Sequence, residues 1–226
     1  MTNTPESIGI ILDGNRRWAK EQGLSPLEGH VRGSEKVREV LEWAHEAGVK
    51  EVVLYAFSTE NWKRSEEEVE HLMQLFERMC DTWGEDIRKR GGRVRFIGER
   101  SHLRPSLAEK MNALEEQTAQ GTEGTVWIAL SYGGRAEIIA GVNALLAQNV
   151  ASVDETTFSQ SLWSAGMKDP DLIIRTGGEH RLSNFLPWQG VYSELYFTPT
   201  KLPALTKDEF VSILEEYASR QRRHGA

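Results

Sequence analysis

Residues 10–19, IILDGNRRWA, join an apolar run directly to a polar and charged cluster. Three apolar residues lead into Asp13, Gly14 and Asn15, and two arginines and a tryptophan follow. This order is typical of a buried strand that ends in a tight turn and continues into a helix. The turn combines an acid, an unhindered glycine and paired cations, which is the first indication of a functional site.

Short apolar runs and longer amphipathic segments alternate along the rest of the chain. Ser34 and Ser65 are placed as helix N-caps, and Gly48 as a stop signal. Such alternation predicts an α/β fold in which a mostly parallel, six-stranded sheet is flanked by helices. We expect one domain over residues 1–226. The predicted strands are 8–12, 52–57, 94–97, 126–130, 172–174 and 195–197, and the predicted helices are 34–47, 66–89, 105–119, 135–147 and 207–221.

The predicted helix over residues 66–89 is apolar over more than one narrow stripe. Two interpretations stay open, because a core-facing helix and the wall of a hydrophobic tunnel use the same residue types. The apolar positions are Val69, Leu72, Met73, Leu75, Phe76, Met79 and Trp83.

Composition limits the possible classes of function. A net charge of -7 argues against a nucleic acid or an anionic membrane surface as the main partner. The only cysteine, Cys80, excludes an intrachain disulfide and fits a reducing cytoplasm. No apolar run approaches the roughly 20 residues that span a bilayer, and the first residues lack a signal-peptide pattern. We therefore expect a cytoplasmic protein whose membrane contact, if any, is peripheral.

Polar clusters follow four of the predicted strands and are expected to meet at one edge of the sheet. Gly14 allows the backbone to approach a ligand closely, and the helix N-terminus after it favours an anion. Asp13 beside an anion makes sense chiefly with a divalent cation between them. Alternatively, the Asp-Gly-Asn sequence is an ordinary turn with an N-cap. The clusters are residues 13–17, 58–64, 131–135 and 175–181.

A second anion cradle is predicted where Arg175 and Arg181 flank a Gly-Gly turn, with Ser183 close behind. The alternative is a pair of solvated arginines on a surface loop. His30 is either a donor to phosphate oxygens or a satisfied structural histidine. Two basic cradles with few carboxylates predict two phosphorylated substrates bridged by a metal ion. Patterns typical of ATP, dinucleotide or serine hydrolase sites do not occur in the sequence.

Five motifs carry a family resemblance. They are Asp13-Gly14-Asn15-Arg16-Arg17-Trp18, Gly29-His30-x-x-Gly33, Phe57-Ser58-Thr59-Glu60-Asn61-Trp62-x-Arg64, Tyr132-Gly133-Gly134-Arg135 and, at residues 171–189, DLIIRTGGEHRLSNFLPWQ. In this order they resemble the cis-prenyltransferases. The trans-prenyltransferases, by contrast, use paired Asp-rich motifs that this sequence lacks.

The resemblance implies elongation of an allylic diphosphate, typically farnesyl diphosphate, by isopentenyl diphosphate units, with Mg²⁺ as cofactor. It also implies a homodimer and a hydrophobic tunnel for the growing chain. The small Ala56 on the presumed tunnel side favours a medium or long product, and the expected product is an undecaprenyl chain, with a short or medium chain as the alternative. The competing hypotheses are a non-catalytic scaffold subunit of the same fold and an unrelated phosphate-binding enzyme such as a phosphatase.

The resemblance also implies roles for individual residues. Asp13 holds the metal, with Glu194 as a second carboxylate, and Ser58 and Asn61 join Asp13 in catalysis. Trp62 stacks over the allylic chain. The expected contacts of the allylic diphosphate are Gly14, Asn15, Arg16, Arg17, Trp18, His30 and Arg64. Those of isopentenyl diphosphate are Arg175, Arg181, Ser183 and, reaching across the dimer, Arg223 of the Arg-x-Gly ending.

Two points of the resemblance leave alternatives open. Many bacterial members have an arginine four residues before the histidine of the Gly-His motif, where this chain has Pro26. Either Arg32 substitutes for that arginine, or the allylic diphosphate binds more weakly. The ending at Arg223 is alternatively a frayed basic tail.

Overall fold

The computed structural model describes residues 4–220, and its six strands form one sheet. They are β1 Ser7–Ile11, β2 Glu51–Ser58, β3 Gly92–Ile97, β4 Gly124–Tyr132, β5 Leu172–Arg175 and β6 Glu194–Phe197. The strand order is β3-β4-β2-β1-β5-β6, and every described pairing is parallel. The predicted six-stranded sheet is therefore confirmed, and all of its carboxyl ends lie at one edge.

Helices connect the strands. They are α1 Asn15–Glu21, α2 Pro26–Glu46, α3 Glu66–Lys89, α4 Pro105–Gln117, α5 Gly134–Ala147, α6 Glu155–Ser161 and α7 Lys207–Ser219. The predicted bounds of α3 are correct. Within residues 4–220, the model contains no helix with the length and apolar character needed to cross a bilayer.

The two faces of the sheet bury different side chains, as the two-residue period of a strand requires. Ile10 and Leu54 belong to one hydrophobic cluster, which contains side chains of α2, α3, α4 and α7. Ile11 and Val53 belong to the other, together with Phe185. The sheet is thus covered on both sides, and the face toward α2 and α3 has the larger cluster.

Helix α2 begins eight residues before the predicted position, so the prediction of Ser34 as its N-cap is wrong. The cap is Ser25, whose hydroxyl accepts the backbone N–H of Glu28 at 3.3 Å, while the Glu28 carboxylate accepts the Ser25 backbone N–H at 2.9 Å. Pro26 fits the first turn, where no backbone donor is needed. Inside the helix, the Ser34 hydroxyl donates to the Val31 carbonyl at 2.7 Å.

Two glycines in α2 let α1 pack closely against it. A Cβ at Gly29 would lie 2.4 Å from the Asn15 carbonyl oxygen, and one at Gly33 would lie 2.4 Å from the Asn15 side-chain oxygen. Any larger residue would have to push the helices apart. The Gly-His-x-x-Gly motif therefore brings His30 of α2 and the first turn of α1 to the same edge of the sheet.

Two short elements did not emerge from the sequence pattern. Helix α6 has the sequence ETTFSQS, whose single large apolar residue gives no helical period, and it is recognised by its Asp154 N-cap. Residues Thr59–Lys63 form a 3₁₀ turn directly after β2. This turn carries one of the polar clusters predicted from the sequence.

The relocated cap gives a stability prediction. Ser25→Ala should lower the free energy of unfolding by about 1 kcal/mol, because it leaves first-turn donors of α2 without a partner. Ser34→Ala is the matched control on the same helix and should change it by less than about 0.5 kcal/mol. Urea unfolding followed by circular dichroism measures both. A larger loss for Ser34→Ala than for Ser25→Ala would contradict the observed start of α2.

Candidate active site

Parallel pairing of β1 with β5 places Asp13 beside Arg175. Ile11 is aligned with Arg175 across the two strands, and Asp13 follows two residues later. The Arg175 guanidinium donates to the Asp13 carboxylate at 2.9 Å, although Arg175 is almost fully buried. Thr176 locks this turn, because its hydroxyl accepts the Asp13 N–H at 3.0 Å and donates to the Asp13 carbonyl at 2.7 Å.

The Asp13 carboxylate is surrounded by donors on its other side as well. One oxygen accepts the Gly14 backbone N–H at 2.6 Å and lies 3.3 Å from the Arg17 guanidinium. Gly14 has a φ of 100°, and a Cβ there would lie 2.9 Å from the Lys201 Cα. Only glycine fits this turn without strain.

The predicted second cradle forms around Arg175. Its guanidinium donates to the Ser183 hydroxyl at 2.8 Å and also to the Arg181 carbonyl. The Arg181 side chain is exposed and pairs with Glu179 at 2.6 Å. Arg175, Arg181 and Ser183 all line one cavity. Arg175 is therefore not a solvated arginine on a surface loop, because its side chain is buried against residues of that loop.

The first cradle is organised by Glu68, a residue that the sequence analysis missed. Its carboxylate accepts from Arg64 at 2.9 Å, lies 3.1 Å from the His30 Nε2 and is 3.7 Å from the Arg16 guanidinium. Glu68 comes from the first turn of α3, where the Ser65 hydroxyl accepts its backbone N–H at 3.3 Å. The Ser-x-x-Glu pattern and the i,i+4 spacing from Arg64 were the available signals.

Burial changes the pKa values of His30 and Glu68. Burial lowers the pKa of the His30 imidazole, although the hydrogen bond to Glu68 acts in the opposite direction. Burial also raises the pKa of Glu68, but the hydrogen bond from His30 and the charges of Arg64 and Arg16 outweigh it and leave this pKa below its ordinary value. The Nε2 of His30 has the Glu68 carboxylate as its hydrogen-bond partner. This contact agrees with the alternative that His30 is a structural histidine whose hydrogen bonds are satisfied within the protein.

Residues of the 3₁₀ turn after β2 reach the same edge of the sheet. The Asn61 side-chain oxygen accepts the Ser58 backbone N–H at 3.1 Å. The Trp62 indole donates to the Ser131 hydroxyl at 3.0 Å, and its ring packs edge-on against Phe57. Trp62 is not among the residues that line the cavities here, so stacking over a substrate chain stays a prediction.

Two cavities open at this edge, and the residues that line both are Leu12, Asp13, Asn15, His30 and Arg64. The inner cavity has a volume of about 330 Å³ and the outer cavity about 630 Å³. Polar groups of both cradles surround the top of the inner cavity, and apolar side chains form its lower part. That apolar lining comprises Val37, Leu54, Ala56, Leu72, Leu75, Phe76, Met79 and Ile128.

The outer cavity contains a cation that the sequence analysis did not select. Lys20 lines it together with Pro26, Arg16 and Arg17. Arg32, one of the two alternatives offered for the arginine that Pro26 replaces, does not line it; the Arg32 side chain is exposed and pairs with Glu35 at 3.0 Å. Lys20 is thus the side chain placed to supply the missing charge.

Two other predicted site residues lie elsewhere, and a third is outside the part of the chain that the structure describes. Glu194 is the first residue of β6 and is aligned with the first residue of β5, whereas Asp13 lies beyond the last residue of β1. Within one chain, the structure therefore does not bring the two carboxylates together, and Glu194 pairs with Arg220 at 2.9 Å. Trp18 is half-buried in α1 and lines neither cavity. Arg223 lies outside the described residues.

The donor set around Asp13 fits a magnesium ion that a substrate helps to hold. Across residues 4–220, no three His, Cys, Asp or Glu side chains converge as a ligand set. Mg²⁺, however, usually keeps several waters and binds one or two carboxylates together with substrate phosphates. The Asp13 side chain is 30% exposed and lines two cavities that also have arginines in their walls, which is the arrangement such a site needs.

Comparisons with known proteins agree with this geometry. The prenyltransferase family model for undecaprenyl diphosphate synthases matches residues 11–225. The chain is 44% identical to the isoprenyl transferase of Thermotoga maritima, over 98% of this chain and 97% of that protein. It is 42% identical to the tritrans,polycis-undecaprenyl-diphosphate synthase (geranylgeranyl-diphosphate specific) of Pyrococcus abyssi, over 98% and 87% of the two chains.

A solved structure shares the fold. The lavandulyl diphosphate synthase of Lavandula x intermedia, crystallised with dimethylallyl diphosphate, superposes with a TM-score of 0.94. It is 31% identical, and the match covers 99% of both chains.

The position of Glu68 gives a second stability prediction. Glu68→Ala should lower the free energy of unfolding by about 2 kcal/mol, because it removes the carboxylate that faces His30 and Arg64. The control is Glu67→Ala, an exposed acid in the same turn of α3, which removes the same favourable charge at the helix N-terminus. Equal losses in urea unfolding would show that Glu68 contributes only through the helix terminus.

Proposed function

The chain belongs to the cis-prenyltransferase family, and we propose that it condenses isopentenyl diphosphate with an allylic diphosphate, extending the allylic chain. Farnesyl diphosphate is the proposed primer, and a long chain of undecaprenyl length is the proposed product. The observation that carries the proposal is the inner cavity, in which two arginine-bearing cradles meet at Asp13 directly above apolar walls. A molecule with a diphosphate head and a prenyl tail has the same distribution of polarity.

The two cradles would hold the two diphosphates side by side. Arg175, with Ser183 and Arg181, has the charges and the hydroxyl to bind isopentenyl diphosphate. Arg17 and Arg64, with the backbone after Gly14, would bind the allylic diphosphate. This assignment leaves the prenyl tail to enter the apolar part of the inner cavity.

The reaction forms a carbon–carbon bond while the allylic carbon loses its diphosphate and the isopentenyl unit loses a proton. The greatest electrostatic demand is the charge on the departing diphosphate, which Arg17 and Arg64 can stabilise. When bound at Asp13, Mg²⁺ would supply further neutralisation of that charge. Ser58 and Asn61 line the inner cavity and would position the reacting groups close to where the proton is lost.

Several features support a long product. The small Ala56 of β2 lines the inner cavity two residues before Ser58, and other apolar side chains line the same cavity. The relatives are associated with different allylic diphosphates, since one is named as specific for geranylgeranyl diphosphate and the solved structure holds dimethylallyl diphosphate. A short or medium product is the alternative.

The proposal includes a homodimer in the cytoplasm that contacts the membrane peripherally when product is released. Exposed apolar side chains beside the edge strand β6 support a subunit contact, and they are Val191, Tyr192 and Leu195. A scaffold subunit without activity is disfavoured, because Asp13, Asn61, Arg175 and Arg181 are all present.

Incubation with Mg²⁺, labelled isopentenyl diphosphate and one unlabelled primer at a time tests the function. Dimethylallyl, farnesyl and geranylgeranyl diphosphate are compared, and label in an extractable apolar product is expected to be greatest with farnesyl diphosphate. Chelation of the metal, or Asp13→Asn, should reduce this label at least 100-fold, while the thermal unfolding midpoint confirms the fold. Asp13→Asn with activity close to wild type would contradict the role of Asp13, and no product with any primer would contradict the function.

Lys20 gives a binding prediction. Lys20→Ala should raise the KM for the allylic diphosphate about 3- to 10-fold without changing the KM for isopentenyl diphosphate, because only the outer cavity loses a charge. Arg32→Ala, which removes a cation outside that cavity, is the matched control and should change neither value. The same effect from both variants would mean that general surface charge, and not Lys20, attracts the substrate.

A further inference from the structure

The loop over residues 181–187 carries Arg181 and Ser183 of the second cradle, and its backbone is strained. Ser183, Asn184 and Leu186 have φ values of 50°, 67° and 48°. Residues other than glycine rarely adopt such values, and asparagine is among the few that tolerate them. Contacts with the surrounding structure must therefore hold the loop in this conformation.

Asn184 caps helix α5 from outside that helix. Gly133, at the N-cap position, has no side chain that could accept a first-turn N–H. The Asn184 carbonyl oxygen accepts the Gly134 N–H at 2.8 Å, and the Asn184 side-chain oxygen accepts the Arg135 N–H at 2.9 Å. These are two of the donors that a helix N-terminus leaves without a partner inside the helix. The loop is thus fixed to the first turn of α5.

Two glycines of the Tyr-Gly-Gly-Arg motif make this close approach possible. A Cβ at Gly134 would overlap the ring of Pro187. One at Gly133 would lie 2.7 Å from the Asn184 side-chain nitrogen and 2.6 Å from the Thr59 hydroxyl oxygen. The motif is therefore the point at which the loop meets the first residue of the 3₁₀ turn after β2.

The Asn184 side chain also joins the loop to that turn. Its amide nitrogen donates to the Glu60 carboxylate at 3.2 Å. Burial raises the pKa of Glu60, but hydrogen bonds, including the one from Asn184, outweigh it and leave this pKa below its ordinary value. Glu60 directly precedes Asn61, whose side-chain oxygen accepts the Ser58 N–H. Asn184 itself lines neither the inner nor the outer cavity, so any effect on substrates passes through its neighbours.

We propose that Asn184 is a positioning residue that holds the second cradle in place relative to the turn carrying Ser58 and Asn61. The inference rests on the proposed function, in which isopentenyl diphosphate binds the second cradle and this turn positions the reacting groups. The amide of Asn184 serves both sides at once, because its oxygen accepts from α5 while its nitrogen donates to Glu60. Loss of either half would let the cradle and the turn move apart.

Steady-state kinetics with each substrate varied in turn test the proposal. Asn184→Asp keeps an acceptor for the Arg135 N–H, but it places a second carboxylate against Glu60. We expect kcat/KM for isopentenyl diphosphate to fall about tenfold or more, while the KM for the allylic diphosphate stays within about twofold of wild type. The matched control is Asn149→Asp, which changes an exposed asparagine with a φ of 55° just beyond α5 and should alter neither value.

A double substitution separates positioning from a general loss of stability. Asn184→Asp combined with Glu60→Gln exchanges the donor and the acceptor between the two side chains and keeps their summed charge. The introduced amide can then donate to the introduced carboxylate. This variant should recover kcat/KM for isopentenyl diphosphate to within about threefold of wild type, and Glu60→Gln alone completes the double-mutant cycle.

The outcomes separate this inference from the proposed function. Should wild type form product while Asn184→Asp leaves kcat/KM for isopentenyl diphosphate unchanged, the inference is wrong and the function stands. A loss that the double substitution does not reverse, or one that raises both KM values equally, also overturns it. Should wild type form no product with any primer, both fail.

A second variant keeps the test decisive if Asn184→Asp does not fold, as judged by circular dichroism. Asn184→Gly retains the left-handed backbone and the carbonyl oxygen but removes both side-chain hydrogen bonds. A selective loss of kcat/KM for isopentenyl diphosphate in Asn184→Gly supports the inference, and an unchanged value overturns it.

Discussion

The site depends on one contact, the ion pair between Asp13 and Arg175 across two neighbouring parallel strands. The pair exists because the alignment of β1 with β5 fixes how far each chain runs before it turns. A shift of one residue would turn each side chain of β1 to the other face and separate the acid from the guanidinium. The same contact orients Arg175 toward Ser183, so a single alignment of two strands assembles both ends of the second cradle.

The two acids of the site, Asp13 and Glu68, each contact several basic side chains. Asp13 contacts Arg17 and Arg175, and Glu68 contacts Arg64, Arg16 and His30. Arginines that line a cavity repel one another in a medium of reduced dielectric constant, and a shared carboxylate offsets that repulsion. Glu68 contacts Arg64 and Arg16 but lines neither cavity, whereas Asp13 is an acid that lines both.

Much of this arrangement was predictable from the sequence, and the exceptions have physical causes. The strands and the helix over 66–89 were predicted because their apolar periods are strong, and the convergence of their polar ends follows from parallel pairing. The start of α2 was placed too late, since Gly29 and Gly33 resemble turn residues and only the packing of Asn15 explains them inside a helix. Glu68 was missed because its role depends on contacts with His30 and Arg16, which are distant from it in sequence. The place of Lys20 in the outer cavity depends on how α1 and α2 pack, which no single segment encodes.

The central claim is that Asp13 binds a divalent cation together with a substrate diphosphate. Binding of Mn²⁺ in place of Mg²⁺ can be followed by electron paramagnetic resonance, with and without an unreactive analogue of farnesyl diphosphate. The account predicts weak binding to the protein alone and binding at least tenfold tighter with the analogue, and it predicts that Asp13→Asn removes this gain. Equal Mn²⁺ affinity with and without the analogue, or an undiminished gain in Asp13→Asn, would contradict it.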